Sequence, residues 1–165
     1  MKETTLCYIE QNDQYLMLYR NKKPNDPNAG KWIGVGGKLE PGETPDECVV
    51  REVKEETGLF ITPIRRGVIY FHSDRWEDET MYLYTAEDIR GTLLDVCNEG
   101  ELRFVPKEEV LNLNLWEGDR VFLRELLAGN KHIEFSLSYE GDTLKKVEYP
   151  ILHPEKAPKY GMRRA

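Results

Sequence analysis

The stretch Gly36–Leu59, GGKLEPGETPDECVVREVKEETGL, decides how this chain is read. Its second half carries a full set of helix-end signals. Thr44 suits an N-cap, Pro45 the first helical position, Asp46 the positive end of the helix dipole, and Glu47 the acceptor position of a capping box. Gly58 supplies the left-handed residue that stops a helix. On that helix Glu52, Glu55 and Glu56 stand at i, i+3 and i+4, which puts three carboxylates on one face within about 6 Å of each other. Such crowding raises each pKa and repels unless something positive sits among the three. Lys54 points to another face, and Arg51 is expected to angle away from the cluster's centre. A hard divalent cation bound through oxygen, such as Mg²⁺, would resolve the conflict.

An acidic helix face is most often simply solvated, and the residues upstream weigh against that here. Gly34, Gly36 and Gly37 leave a backbone that can approach a ligand closely, and Pro41, Gly42 and Glu43 form a tight turn into the helix. Gly37, Glu43, Arg51, Glu52, Val53, Glu55, Glu56, Gly58 and Leu59 occupy every fixed position of the Nudix box, so the chain resembles the Nudix hydrolases. The resemblance implies an α/β/α sandwich with a mixed β-sheet and hydrolysis of nucleoside diphosphates linked to another moiety. It also implies metal ligation by Glu52, Glu55, Glu56 and the Gly36 carbonyl, with Mg²⁺ as cofactor and Mn²⁺ as substitute. Glu52 is the first candidate for ordering or deprotonating the attacking water, and Glu56 joins it in the candidate catalytic set. Arg51 would hold a neighbouring carboxylate, Lys38 would contact phosphate, and Glu43 would support the loop. A further carboxylate from outside the box is assigned to Glu99, with Glu101 as its nearest rival.

At 165 residues and 19.3 kDa, the chain suits one domain, set at residues 1–150, followed by an irregular tail at 151–165. The fractions, 39% hydrophobic and 32% charged, describe a soluble globular protein, and no apolar run has the length of a membrane span or a signal peptide. A cytoplasmic location is expected. Cys7, Cys48 and Cys97 are odd in number and widely spaced, which suggests neither a disulfide framework nor a zinc site, and Cys7 is expected in the core. A net charge of −7 argues against a nucleic-acid polymer as partner and for a small anionic nucleotide met by local cations and metal. Oligomeric state is left open.

Residues 4–10 and 15–20 read as strands joined at Asn12 and Asp13, and residues 21–30, NKKPNDPNAG, as an exposed loop. Arg20 ends the second strand, as a solvated charge or as a phosphate contact. Residues 60–64 and 67–72 read as one strand broken near Pro63, and 80–85 as its successor. Between them SDRWEDE is a lid or a long hairpin loop. A short strand at 101–105 is ended by Pro106, and residues 107–111 form a helical turn. An amphipathic helix spans 116–128 with Val121, Phe122, Leu126 and Leu127 inward, closed by Gly129. Strands at 133–139 and 143–149 flank Glu140, Gly141 and Asp142 as a last hairpin.

Beyond the box, GKWIGVGGK, the Trp116 helix start and the closing hairpin resemble the MutT-type 8-oxo-dGTP diphosphatases, which act on oxidised purine nucleoside triphosphates in the nucleotide pool. Trp116 and Asp119 match the positions where the animal enzymes place a stacking face and a purine-edge group. A hydrophobic staple and a first-turn charge are the plainer accounts of the same two residues. Phe71 and Met81 line the apolar side of that pocket or pack the core. Two positions depart from the animal pattern: Ile33 stands for an asparagine that contacts the base, and Gly118 for an aspartate. ADP-ribose, a dinucleoside polyphosphate and an RNA 5′ end are the alternative substrates. A non-catalytic nucleotide sensor would have been free to lose the carboxylates that this chain retains.

Overall fold

Turn chemistry sets the first hairpin. The structure, a computed structural model, describes residues 1–149, and in it Asn12 and Asp13 take positive φ, 52° and 61°, as a two-residue type I′ turn requires. They fold β1 (Lys2–Gln11) back on β2 (Gln14–Arg20). The chain then runs as β3 (Trp32–Ile33), α1 (Pro45–Thr57), β4 (Leu59–Ile61), β5 (Ile64–Ser73), β6 (Glu79–Ala86) and β7 (Ile89–Gly91). It closes with β8 (Gly100–Pro106), α2 (Lys107–Val110), α3 (Glu117–Leu127), β9 (Ile133–Glu140) and β10 (Thr143–Glu148). The main sheet has the order β10-β9-β5-β6-β1-β2-β3, with β8 also paired to β2. The β1/β6 and β5/β9 pairs are parallel and the rest antiparallel, so the sheet is mixed, as expected.

Strand alternation divides the interior in two. Leu6 and Tyr8 of β1 join Met17, Ile69, Met81 and Phe135 under Phe122, Leu123 and Leu126 of α3. Cys7 and Ile9, on the opposite pleat, join Leu16, Tyr84 and Val35 under Val49 and Val53 of α1. Helices on both faces of one sheet complete the α/β/α sandwich. Phe122 and Leu126 are buried as expected, Val121 and Leu127 pack at the core's margin, and Leu123 is a fully buried addition.

One expected strand proves to be two, in different sheets. Pro63 ends β4, which pairs with β7 in a separate two-stranded sheet, while β5 enters the main sheet. The three-residue β7 has no alternation of its own and forms because β4 offers it an edge. The expectation of an irregular tail at 151–165 lies outside the described residues.

Candidate active site

Glycines bring the chain before α1 against β1. Val35 and Gly37 direct their carbonyls to Cys7 N–H and Thr5 N–H, at 2.7 and 2.9 Å. By strand alternation the Gly36 carbonyl therefore faces the opposite way. A Cβ on Gly36 would lie 2.7 Å from the Thr5 carbonyl carbon, and one on Gly37 would lie 2.5 Å from Glu52 Cδ. Gly37 thus leaves the room that Glu52 fills.

The helix begins and ends as its sequence dictates. Glu47 N–H donates to Thr44 Oγ1 at 3.1 Å and Thr44 N–H to Glu47 Oε1 at 2.9 Å, a complete capping box. Gly58 takes φ +81° and donates to the Lys54 carbonyl at 3.0 Å. Lys54 does leave the acidic face, its Nζ lying 4.7 Å from the centre of the Phe60 ring.

Arg51 corrects the sequence-based picture. Rather than angling away, it sits among the carboxylates: Nε donates to Glu43 Oε2 at 2.7 Å, Nη2 to Glu43 Oε1 at 2.9 Å, and Nη1 to Glu52 Oε1 at 2.7 Å and Glu55 Oε2 at 3.3 Å. A long side chain with five fixed donors can curl back over its own turn, which helix-face geometry at Cβ does not reveal. These donors hold the Glu43 carboxyl at about 2. Glu43 Oε1 also accepts Glu40 N–H at 2.9 Å, so Glu43 braces the turn. Glu55 is drawn to the rim, its side chain 59% exposed, while Glu52 and Glu56 face the cleft.

Glu56 is 8% exposed, and its Oε2 is buried without a partner among the described residues. Burial pushes its carboxyl well up, and a hydrogen bond shared with Glu99 pushes it further. Burial also acts to raise Glu99, but the bonds from Glu56 and Lys23 and the charge of Arg20 outweigh it and bring Glu99 below its usual range. Lys23 Nζ reaches Glu99 Oε1 at 2.8 Å and Arg20 Nη1 reaches Glu99 Oε2 at 3.3 Å. Arg20 is no solvated strand end, since its Nε also pairs with Asp26 Oδ2 at 2.8 Å. Glu52 is raised by burial, with Arg51 opposing.

The residues present fit a hard cation in their chemistry. Glu52, Glu56, Glu99 and the Gly36 backbone line one cleft and offer oxygen only, and Glu56 Oε2 is a buried acceptor without a donor. Among the described residues no three acidic, histidine or cysteine side chains are already drawn to ligand spacing. Here Arg51 pairs with Glu52, and Arg20 and Lys23 pair with Glu99.

The same cleft, about 580 Å³, continues past Lys38 and Arg20 to Ile33, Phe71, Met81, Trp116 and Asp119. Trp116 is an anchored wall. Its Nε1 donates to Asn28 Oδ1 at 2.8 Å, its ring meets Tyr139 edge to face at 5.6 Å, and Lys31 Nζ lies 5.0 Å from the ring centre. Asp119 is buried, and desolvation together with the Glu79 charge pushes its carboxyl up to about 7, against Lys31. Gly118 has a structural cause. Its N–H donates to the Tyr139 hydroxyl at 2.7 Å, and a Cβ there would lie 2.7 Å from that same oxygen.

Every sequence-chosen site residue except Arg51 and Glu55 therefore lines one cavity; those two sit beside it. Sequence reasoning missed Lys23, Asn28, Trp76 and the site role of Tyr139. Lys23 and Asn28 lie in NKKPNDPNAG, whose composition signalled only a loop. Among the described residues no helix is long and apolar enough to cross a membrane.

Comparison with known proteins agrees with this geometry. The NUDIX domain model matches residues 2–126. An uncharacterized Nudix hydrolase, YvcI of Bacillus subtilis, is 28% identical over 144 residues, covering 84% of this chain and 87% of that protein. The nucleoside triphosphatase NudI of Salmonella agona is 30% identical over 139 residues, covering 76% and 99%. A crystal structure of a mutator MutT protein from Bacillus halodurans superposes with a TM-score of 0.80 at 28% identity, covering 90% of this chain and 97% of that one. A glycine strand, a capped acidic helix and a cleft over a mixed sheet thus meet a family match across most of the chain, which belongs to the Nudix family as a MutT-like hydrolase with pyrophosphohydrolase activity.

Proposed function

We infer that the substrate is a purine nucleoside triphosphate of the oxidised, 8-oxo-dGTP type, cleaved to monophosphate and pyrophosphate in the cytoplasmic nucleotide pool. One observation carries the reading: a single cleft joins the carboxylates Glu52, Glu56 and Glu99 to a pocket bounded by Trp116, Asp119, Phe71 and Met81. That span suits a triphosphate at one end and a base at the other.

Glu52, Glu56, Glu99 and the Gly36 carbonyl would hold Mg²⁺, or Mn²⁺ in its place, with Glu55 as the outer member of the set. The bound ion supplies charge neutralisation for the phosphates and lowers the pKa of water. Glu52 would orient the attacking water or take its proton, while Arg51 fixes the Glu52 carboxylate through its Nη1 bond. Lys38 and Arg20 meet phosphate oxygens along the cleft wall. At the far end, Trp116 walls the base, Phe71 and Met81 give the apolar floor, and Asp119 addresses the purine edge.

Gly118 and Ile33 favour a second reading, another nucleoside diphosphate derivative such as ADP-ribose, because neither position supplies the aspartate or asparagine of the animal pattern. Turnover of 8-oxo-dGTP, dGTP and ADP-ribose under saturating Mg²⁺ decides between them. The first reading expects the highest kcat/KM for the oxidised triphosphate, and equal values for 8-oxo-dGTP and dGTP would remove it.

A further inference from the structure

Two tryptophans line the cleft, and they are held in different ways. Trp116 is tied down by Asn28, Tyr139 and Lys31. Trp76, in the connection between β5 and β6, is 51% exposed, although an indole gains strongly from leaving water.

The backbone beneath Trp76 is fixed at several points. Ser73 Oγ accepts the N–H groups of Arg75 and Trp76 at 3.0 and 3.2 Å, a turn closed by a hydroxyl. Asp74 Oδ1 accepts Gly141 N–H at 2.9 Å, and Arg75 Nη1 pairs with Asp142 Oδ1 at 3.2 Å. Gly141 takes φ +58° in the β9–β10 turn, and a Cβ there would lie 3.1 Å from Arg75 Nη2. The connection is thus latched to a second hairpin, and the Arg75 guanidinium lies 6.0 Å from the Trp76 ring centre. An exposed indole on a latched support, at the lip of a cleft, is a stacking surface awaiting a planar partner.

Resting on the nucleotide reading above, we propose that Trp76 is a second base-contacting residue, which covers the outer face of the base while Trp116 walls the pocket. Asp74, Arg75 and Asp142 are its positioning residues. The substrate class that follows is a nucleotide with a large planar base, bound more tightly than its polyphosphate alone.

The test is calorimetric titration of the full chain, with excess Mg²⁺, using a purine nucleoside α,β-methylene triphosphate and, separately, inorganic tripolyphosphate. Trp76→Ala is expected to weaken the nucleotide about tenfold and to leave tripolyphosphate unchanged, since base–aromatic stacking is of that order. Trp76→Phe should recover most of the loss. Asp142→Ala, which opens the latch, should give a smaller loss of the same base-dependent kind. Unchanged nucleotide binding in Trp76→Ala overturns this assignment alone. Equal losses on both ligands overturn it too, because the residue would then act only on the loop's order. A parent protein that takes up no nucleotide overturns the nucleotide reading and this one together.

Discussion

At the acidic end of the cleft the groups come mainly from one helix and the glycine strand before it, whereas at the base end Phe71, Met81, Trp116, Asp119 and Tyr139 arrive from β5, β6, the start of α3 with its N-cap, and β9. The acidic end is also bound together electrically. One guanidinium spans Glu43, Glu52 and Glu55, and Glu99 answers to Arg20, Lys23 and Glu56. The base end is held instead by hydrogen bonds and ring contacts, such as the Asn28, Tyr139 and Lys31 contacts to Trp116 and the Tyr139 bond to Gly118. On the proposed function, the metal chemistry would thus sit where several ion pairs fix the geometry, and substrate choice where fewer charged contacts do.

Substitutions at the two ends should differ in kind as well as size. The largest effect is expected from Glu56→Gln, which replaces an ionisable oxygen ligand by an amide at little change of volume. Turnover should fall by about a hundredfold or more on every substrate, with thermal unfolding little changed. Unaltered turnover would mean that the metal end is wrongly assigned. Gly37→Ala places a Cβ 2.5 Å from Glu52 Cδ and should cost about ten- to a hundredfold in kcat by displacing that carboxylate.

Asp119→Asn moves to the base end and should alter choice rather than chemistry. The ratio of kcat/KM for 8-oxo-dGTP to dGTP should fall, and its change with pH around 7 should disappear. The same variant has a stability signature. A carboxyl raised from 3.8 to about 7 on folding keeps its proton better in the folded state, so native stability declines as pH rises through that window and levels off above it. Asn should therefore stabilise at pH 8, by up to about 4 kcal/mol, and do little near pH 4, as read by denaturant titration. The smallest effect is expected from Asn28→Ala, which removes the one hydrogen bond to the Trp116 indole and leaves its Tyr139 and Lys31 contacts. A rise in KM of roughly fivefold with kcat unchanged corresponds to one lost hydrogen bond.

Much of the acidic end was legible before any coordinates. Caps, the positive-φ stop at Gly58 and the spacing of Glu52 and Glu56 are local properties, governed by neighbours within a turn or two. The placement of Arg51 was not, because side-chain reach depends on which carboxylates the turn at Glu40–Glu43 brings within range. Nor was the break at Pro63 legible as a change of sheet, since β4 gains its partner from residues 89–91. The departure at Gly118 could be seen in sequence but not explained there. Its cause is a tyrosine hydroxyl from β9 occupying the space of a side chain.

By itself the sequence determined an acidic, capped helix behind a glycine strand, two hairpins with their turns, and the residue types of the candidate site. Local backbone preferences and charge spacing suffice for that. Only the tertiary structure decided which distant residues hold one another in the cleft: Lys23 and Arg20 against Glu99, Asn28 against Trp116, and Trp76 latched at the lip through Asp142. Those pairings span tens of positions along the chain, and they arise from sheet order and strand register, which no local pattern encodes.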